Sequence, residues 1–195
     1  EAAMSVLIEK PVIMTDFQKV RSQTEELCSP LEIEDYQIQP MADASPPKWH
    51  LAHVTWFFET FVLAKHSHNY QVFNPAHNYL FNSYYNGVGS PYPRASRGHL
   101  SRPTVAEIYE YRKIIDERVL DLLETNSDPE IAFRVNLGLH HERQHQELML
   151  TDVKYNFGNN PLFPSYSPKI ENNVGQVLPQ KWIEFKGGIA EVGAF

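Results

Sequence analysis

KWHLAHVTWFFETFVLAKH, residues 48–66, is apolar and aromatic on more than one side when wound into a helix. Such a helix is stable only when other elements cover most of its surface, so this stretch predicts an all-α bundle built around it. Ser45 is placed to cap its N-terminus, with Pro46 at the first helical position.

Three further segments carry helical punctuation. Thr15 and Gln18 form a capping-box pattern that opens a helix running to Ser29, just before Pro30. Thr104 and Glu107 form another and lead into IYEYRKIIDERVLDLLE. Asp128 and Pro129 open the last, which runs to Phe157 with Gly158 as its stop. Between the second and third helices, residues 68–102 make a long connection. It holds YLFNSYYNGVG, which predicts a short helix, and SPYPRASRGHLSRP, which reads as an irregular loop. A compact domain seldom keeps so long a connection without a use for it.

After Gly158 the texture changes. Residues 159–180 are rich in Pro, Asn and Ser with no helical period, as in a linker. Residues 181–195, KWIEFKGGIAEVGAF, alternate around a Gly-Gly pair as a β-hairpin does. One hairpin does not stand alone. The expected division is therefore a four-helix domain over 1–158, a linker over 159–180, and the opening strands of an incomplete second domain over 181–195.

Composition narrows the function classes. The 195 residues carry a net charge of −7, which disfavours a nucleic-acid backbone or an anionic membrane as partner. Cys28 is the lone cysteine, so no internal disulfide forms and a reducing cytoplasm is expected. EAAMSVLIEKP lacks the cationic start and apolar run of a signal peptide, and no window is apolar enough for a membrane span.

Chemistry concentrates in HHERQHQELML, residues 140–150. On a helix His141 and His145 lie about 40° apart, one turn above the other, which lets two imidazoles reach one ion. His140 and Glu147 point away, at roughly 100° and 120° from His141 by the same count. Gln144 lies beside the pair. Further ligands must come from elsewhere, and KWHLAHV offers His50 and His53. His53 shares a face with Trp49, Trp56 and Phe57, the more apolar direction. A histidine there either hydrogen-bonds in the core or binds metal, and His50 reads better as a hydrogen-bonding neighbour than as a ligand. Three neutral imidazoles with open positions suit Fe, Zn, Ni or Co alike. The opposing reading is a solvated helix face, since HHERQHQE is hydrophilic. His66, His68, His77 and His99 lie in or near loops and read as solvated.

Several separated stretches taken together resemble a known family. KWHLAHVTWFFETFVL, YLFNSYYNGVG, PRASRGHLSRPTVAE and GLHHERQHQELMLTDVKYNF resemble the N-terminal domain of the ergothioneine-biosynthesis sulfoxide synthases (the EgtB family). Members are DinB-like four-helix bundles fused to a formylglycine-generating-enzyme-like (sulfatase-modifying-factor) domain, and WIEFKGGIAEVGA resembles the opening of that second domain. The resemblance implies a non-haem Fe(II) held by His53, His141 and His145. It implies that Gln144 contacts a trimethylated histidine substrate (hercynine) and that Arg94, with Arg97 as the alternative, holds a carboxylate of the thiol. Bidentate carboxylate binding suits arginine at that position. The implied reaction joins γ-glutamylcysteine or cysteine to the imidazole ring and, with O2, oxidises the sulfur to a sulfoxide. Catalytic residues, a tyrosine proton donor among them, are expected in the second domain and not in this chain. Two other readings stand beside this one: a stand-alone DinB-type thiol transferase using Zn or Ni, and a non-catalytic helical interaction module.

Overall fold

The structure, a computed structural model, describes residues 10–167 and 178–191. It is helical, with no strand among the described residues. The helices are α1 (Lys10–Cys28), α2 (Pro47–Phe58), α3 (Ala64–His66), α4 (His77–Phe81), α5 (Val105–Thr125) and α6 (Pro129–Asn159). A π-helical turn, Glu59–Leu63, joins α2 to α3 without a break. The long helices pack pairwise: α1 lies on α6 and α5, and α2 lies on α5 and α6. Every residue of α2 is buried, as its all-round apolar sequence demands.

Helix boundaries follow the capping signals in two cases and depart from the expected signals in three. The Thr104 side chain accepts from the Glu107 N–H while Glu107 reaches back, the expected capping box. Asp128 caps α6 by accepting from the Glu130 N–H, with Pro129 following. By contrast, α1 is already helical at Lys10, five residues before the expected cap. Thr15 spends its hydroxyl on the Pro11 carbonyl one turn back, at 2.8 Å. At α2 the cap position is Pro46 and the first helical proline is Pro47, one residue later than expected. Ser45 instead accepts a hydrogen bond from Arg97 at 2.9 Å. Gly158 lies inside α6 and does not stop it.

Two apolar clusters fill the interior. One gathers Phe17, Phe58, Ile115, Val135 and Leu139, and the other Trp49, Trp56, Ile108, Met149 and Val153. Each fully buried large side chain contributes roughly 2 kcal/mol. Along α1, α5 and α6 the positions between the clusters are charged. Arg21 pairs with Glu142 at 2.8 Å and with Asp116 at 2.7 Å, and Arg112 pairs with Glu142 at 3.2 Å. Thr24 donates to the same Glu142 carboxylate at 2.6 Å. Glu142 and Gln146 are buried, so the hydrophilic look of HHERQHQE hides a polar core face beside the histidine face.

The connection between α3 and α5 is more ordered than its composition suggests. It carries α4 and two 3-10 turns, Asn86–Val88 and Arg94–His99. Glu59, buried in the π turn, ties its start by accepting from the Tyr70 hydroxyl at 2.9 Å, the Phe73 N–H at 2.6 Å and the Tyr111 hydroxyl. Beyond α6 the Tyr166 hydroxyl donates to the Leu27 carbonyl at 2.7 Å. Residues 178–191 form no helix or strand, and Trp182, Ile183 and Phe185 are exposed. The expected hairpin is thus unpaired over 181–191, in keeping with the weakness of a lone two-stranded ribbon. Its remainder at 192–195, and residues 168–177 of the expected linker, lie outside the described residues. No helix among the described residues is long and apolar enough to cross a membrane.

Candidate metal centre

α2 and α6 run side by side and bring three imidazoles together. One ring nitrogen from each of His53, His141 and His145 falls in a group whose atoms all lie within 4.8 Å of one another. Nε2 of His53 and Nε2 of His141 are 3.2 Å apart. Nitrogen ligands about 2.1 Å from one ion stand roughly 3 Å or a little more from each other, so the spacing suits a single cation. Three imidazoles so arranged could hold a metal ion.

Each ring is oriented differently. His53 faces the Phe81 carbonyl with Nδ1 at 2.5 Å, so Nδ1 donates and Nε2 carries the lone pair. Trp49 lies flat against its ring, centroids 4.6 Å apart and planes 12° from parallel. Trp49 is itself tied to α4, donating to the Leu80 carbonyl at 3.0 Å, and Trp56 donates to Asn78 at 3.2 Å. The long connection therefore has a structural use: α4 orients the histidine and both tryptophans of α2. His141 packs against Phe57, centroids 4.7 Å apart, and its buried Nδ1 has no partner. Nδ1 of His145 is 2.9 Å from Nδ1 of His50, whose Nε2 is 3.1 Å from Asp152.

The local field keeps these rings neutral. Burial, and then the neighbouring His141, push the His53 pKa well below the usual value. Burial lowers His141 to about 4, partly opposed by Glu142. Burial and then His50 push His145 far down, and burial lowers His50 against the pull of Asp152. Neutral imidazoles present lone pairs, the form that a metal binds.

The remaining predicted residues divide. Gln144 is exposed and lines, with His141, a cleft of about 320 Å³ walled by Phe57, Phe61 and Tyr85. Arg94 is exposed and donates to the Tyr84 hydroxyl at 3.0 Å. Arg97 is buried: it donates to Ser45 at 2.9 Å and to Ser83 at 3.2 Å, and its guanidinium carbon sits 3.3 Å from the Trp49 ring centroid. Glu147 and His140 face solvent, as the helical count requires. His50 is a hydrogen-bonding neighbour of the site. His77 departs from expectation: it is 3% exposed and packs on Tyr111, centroids 4.5 Å apart, because α4 turns it inward. Sequence reading passed over Asp152, although it follows His145 by seven residues and so shares its helix face.

The DinB superfamily model matches residues 16–149, more than half of the chain and all three converging histidines. The chain belongs to the DinB superfamily. DinB domains are often metal-binding, which accords with the histidine cluster. No curated protein matches the chain.

Proposed function

We propose that this DinB domain is the metal-binding part of an Fe(II)- and O2-dependent sulfoxide synthase of ergothioneine biosynthesis. It would join a cysteine-containing thiol, γ-glutamylcysteine or cysteine, to Nα-trimethylhistidine. The observation that carries the reading is the meeting of three neutral imidazoles beside an aromatic-walled cleft in which Gln144 stands next to His141. His53, His141 and His145 are the residues that would hold the ion. Bound there, Fe(II) would supply oxygen activation and coordination positions for both substrates.

The other groups fit the two substrates. Phe57, Phe61 and Tyr85 form a continuous ring wall, with centroids 4.9 Å apart for Phe57–Phe61 and for Phe61–Tyr85. Such a wall suits a trimethylammonium group through cation–π attraction. The Gln144 amide offers both a donor and an acceptor to the same substrate. Arg94 suits the carboxylate of the thiol better than Arg97, which is already engaged by Ser45, Ser83 and Trp49. Residues 181–195 would open the second domain, which would contribute the remaining contacts and the proton donor. A reducing cytoplasm suits both the thiol substrate and the buried Cys28.

The test uses the longest polypeptide that the gene encodes, loaded with Fe(II) and given the thiol and Nα-trimethylhistidine under air. A sulfoxide product seen by mass spectrometry, and lost in His141→Ala together with the iron, supports the proposal. Thiol transfer that proceeds equally without O2 would instead indicate a metal-dependent transferase. A protein that takes up no metal would leave a helical interaction module.

A further inference from the structure

Asp152 and His50 have no part in the function proposed above, yet their geometry admits one arrangement of protons. Asp152 follows His145 by two turns on the same face of α6, and His50 precedes His53 by three residues on α2. Oδ2 of Asp152 accepts from the Ser45 backbone N–H at 2.9 Å and lies 3.1 Å from Nε2 of His50. An ionised carboxylate has no proton to give, so His50 carries its proton on Nε2. Neutral His50 then offers only a lone pair at Nδ1, which is 2.9 Å from Nδ1 of His145. His145 must donate there. Its own Nε2 is left bare.

We propose that Asp152 and His50 are positioning residues whose carboxylate–imidazole–imidazole chain locks His145 in the tautomer that presents an unprotonated Nε2 to a divalent cation. The inference rests on the reading that the three histidines hold a metal. Neither residue belongs to the converging trio; both would act through His145. His53 reaches the same tautomer through a backbone carbonyl, that of Phe81, whereas His145 depends on two side chains. Partners of this kind fix ring orientation and raise ligand basicity, and removing one typically weakens metal binding by about 10- to 100-fold.

Two measurements on the chain test this. In metal-free protein with 15N-labelled histidine, long-range 1H–15N correlations report the tautomer directly. His145 is expected as pure Nδ1–H in the wild type and as a mixture in His50→Phe. Titration with Co(II) is expected to show affinity falling by about 10- to 100-fold in His50→Phe and Asp152→Asn, with an altered visible spectrum. The metal-free melting temperature of Asp152→Asn should stay near wild type. Should His50→Phe not fold, Asp152→Asn carries the affinity arm, because it keeps an acceptor for Ser45 and His50 and removes only the charge. A wild-type His145 protonated on Nε2 overturns the proposal, and so does unchanged Co(II) affinity in the variants that fold. If the wild type binds no Co(II), the three-histidine reading fails, and the tautomer measurement alone decides this inference.

Discussion

The indole of Trp49 touches both a ligand candidate and a cation: it stacks on His53 at 4.6 Å between centroids, and the Arg97 guanidinium carbon sits 3.3 Å from the Trp49 ring centroid. Arg97 therefore reaches the histidine cluster through an aromatic ring. Burial and the nearby Arg94 lower its pKa to about 10, which still leaves it charged at neutral pH.

This separates the two arginines. Arg97→Ala removes a desolvated cation–π contact worth about 2 kcal/mol and two hydroxyl partners, so it is expected to lower the melting temperature and weaken metal binding together. Arg94→Ala is expected to leave both unchanged and, in the proposed reaction, to raise KM for the thiol by about tenfold or more, the loss of a charge-assisted contact. Calorimetry, metal titration and steady-state kinetics on the two variants check the division. An Arg97→Ala protein as stable as wild type would refute the role given to it here.

Acid should loosen the metal-free fold over a defined window. His50, His53, His141 and His145 all titrate lower in the folded chain than the ordinary 6.5, and His141 does so near 4. Between those values the unfolded chain binds more protons than the folded one, so stability falls as pH drops. The stability contributed by neutral burial is fully present above about 6.5 and is lost progressively towards about 4. Thermal melts should be level from pH 7.5 to about 6.5 and decline from there to pH 4.5, less steeply in His141→Phe. A flat profile would count against neutral burial.

Gly138 sets how close α6 comes to α2. A Cβ there would lie 2.4 Å from Cε1 of Phe58 and 3.1 Å from Cε1 of Phe57, the ring that packs on His141. Replacing glycine by alanine in a helix ordinarily gains about 1 kcal/mol, but overpacking a filled core costs about 1–3 kcal/mol. Gly138→Ala is therefore expected to be destabilised or at best neutral, with weaker metal binding. A rise of several degrees in melting temperature would show that Phe58 moves aside easily.

Cys28 is buried beside Met149, and burial pushes its pKa up to about 11. The reactive thiolate is then scarce and shielded. An aromatic disulfide reagent should label it only as fast as the chain unfolds, with the rate rising in denaturant. Rapid stoichiometric labelling of native protein would contradict the packing described.

How much of this the sequence made legible depends on the range of the interaction. The α2 pattern, the Thr104 box and the Asp128 cap are local signals, and the structure follows them. The His141/His145 spacing was legible because helix geometry alone sets it. Thr15 misled because its hydroxyl has two local partners open to it, and the Pro11 carbonyl wins. Ser45 misled because Arg97, 52 residues away, takes its hydroxyl. His77 and Asp152 owe their surroundings to other elements, namely Tyr111 on α5 and His50 on α2. Such long-range partners are not written in their own segment: the seven-residue step from His145 to Asp152 gives a shared face but not the partner on α2.

Glu142 follows His141 directly and is gripped by Arg21 from α1 and Arg112 from α5. Sliding α6 lengthwise by one residue would part the Glu142 carboxylate from both guanidinium groups in a dry interior, a penalty of several kcal/mol. The buried ions act as a key in a slot: they index α6 along the stack, and the neighbouring imidazoles stay level with their partner on α2 whether or not a cation is there to draw them together.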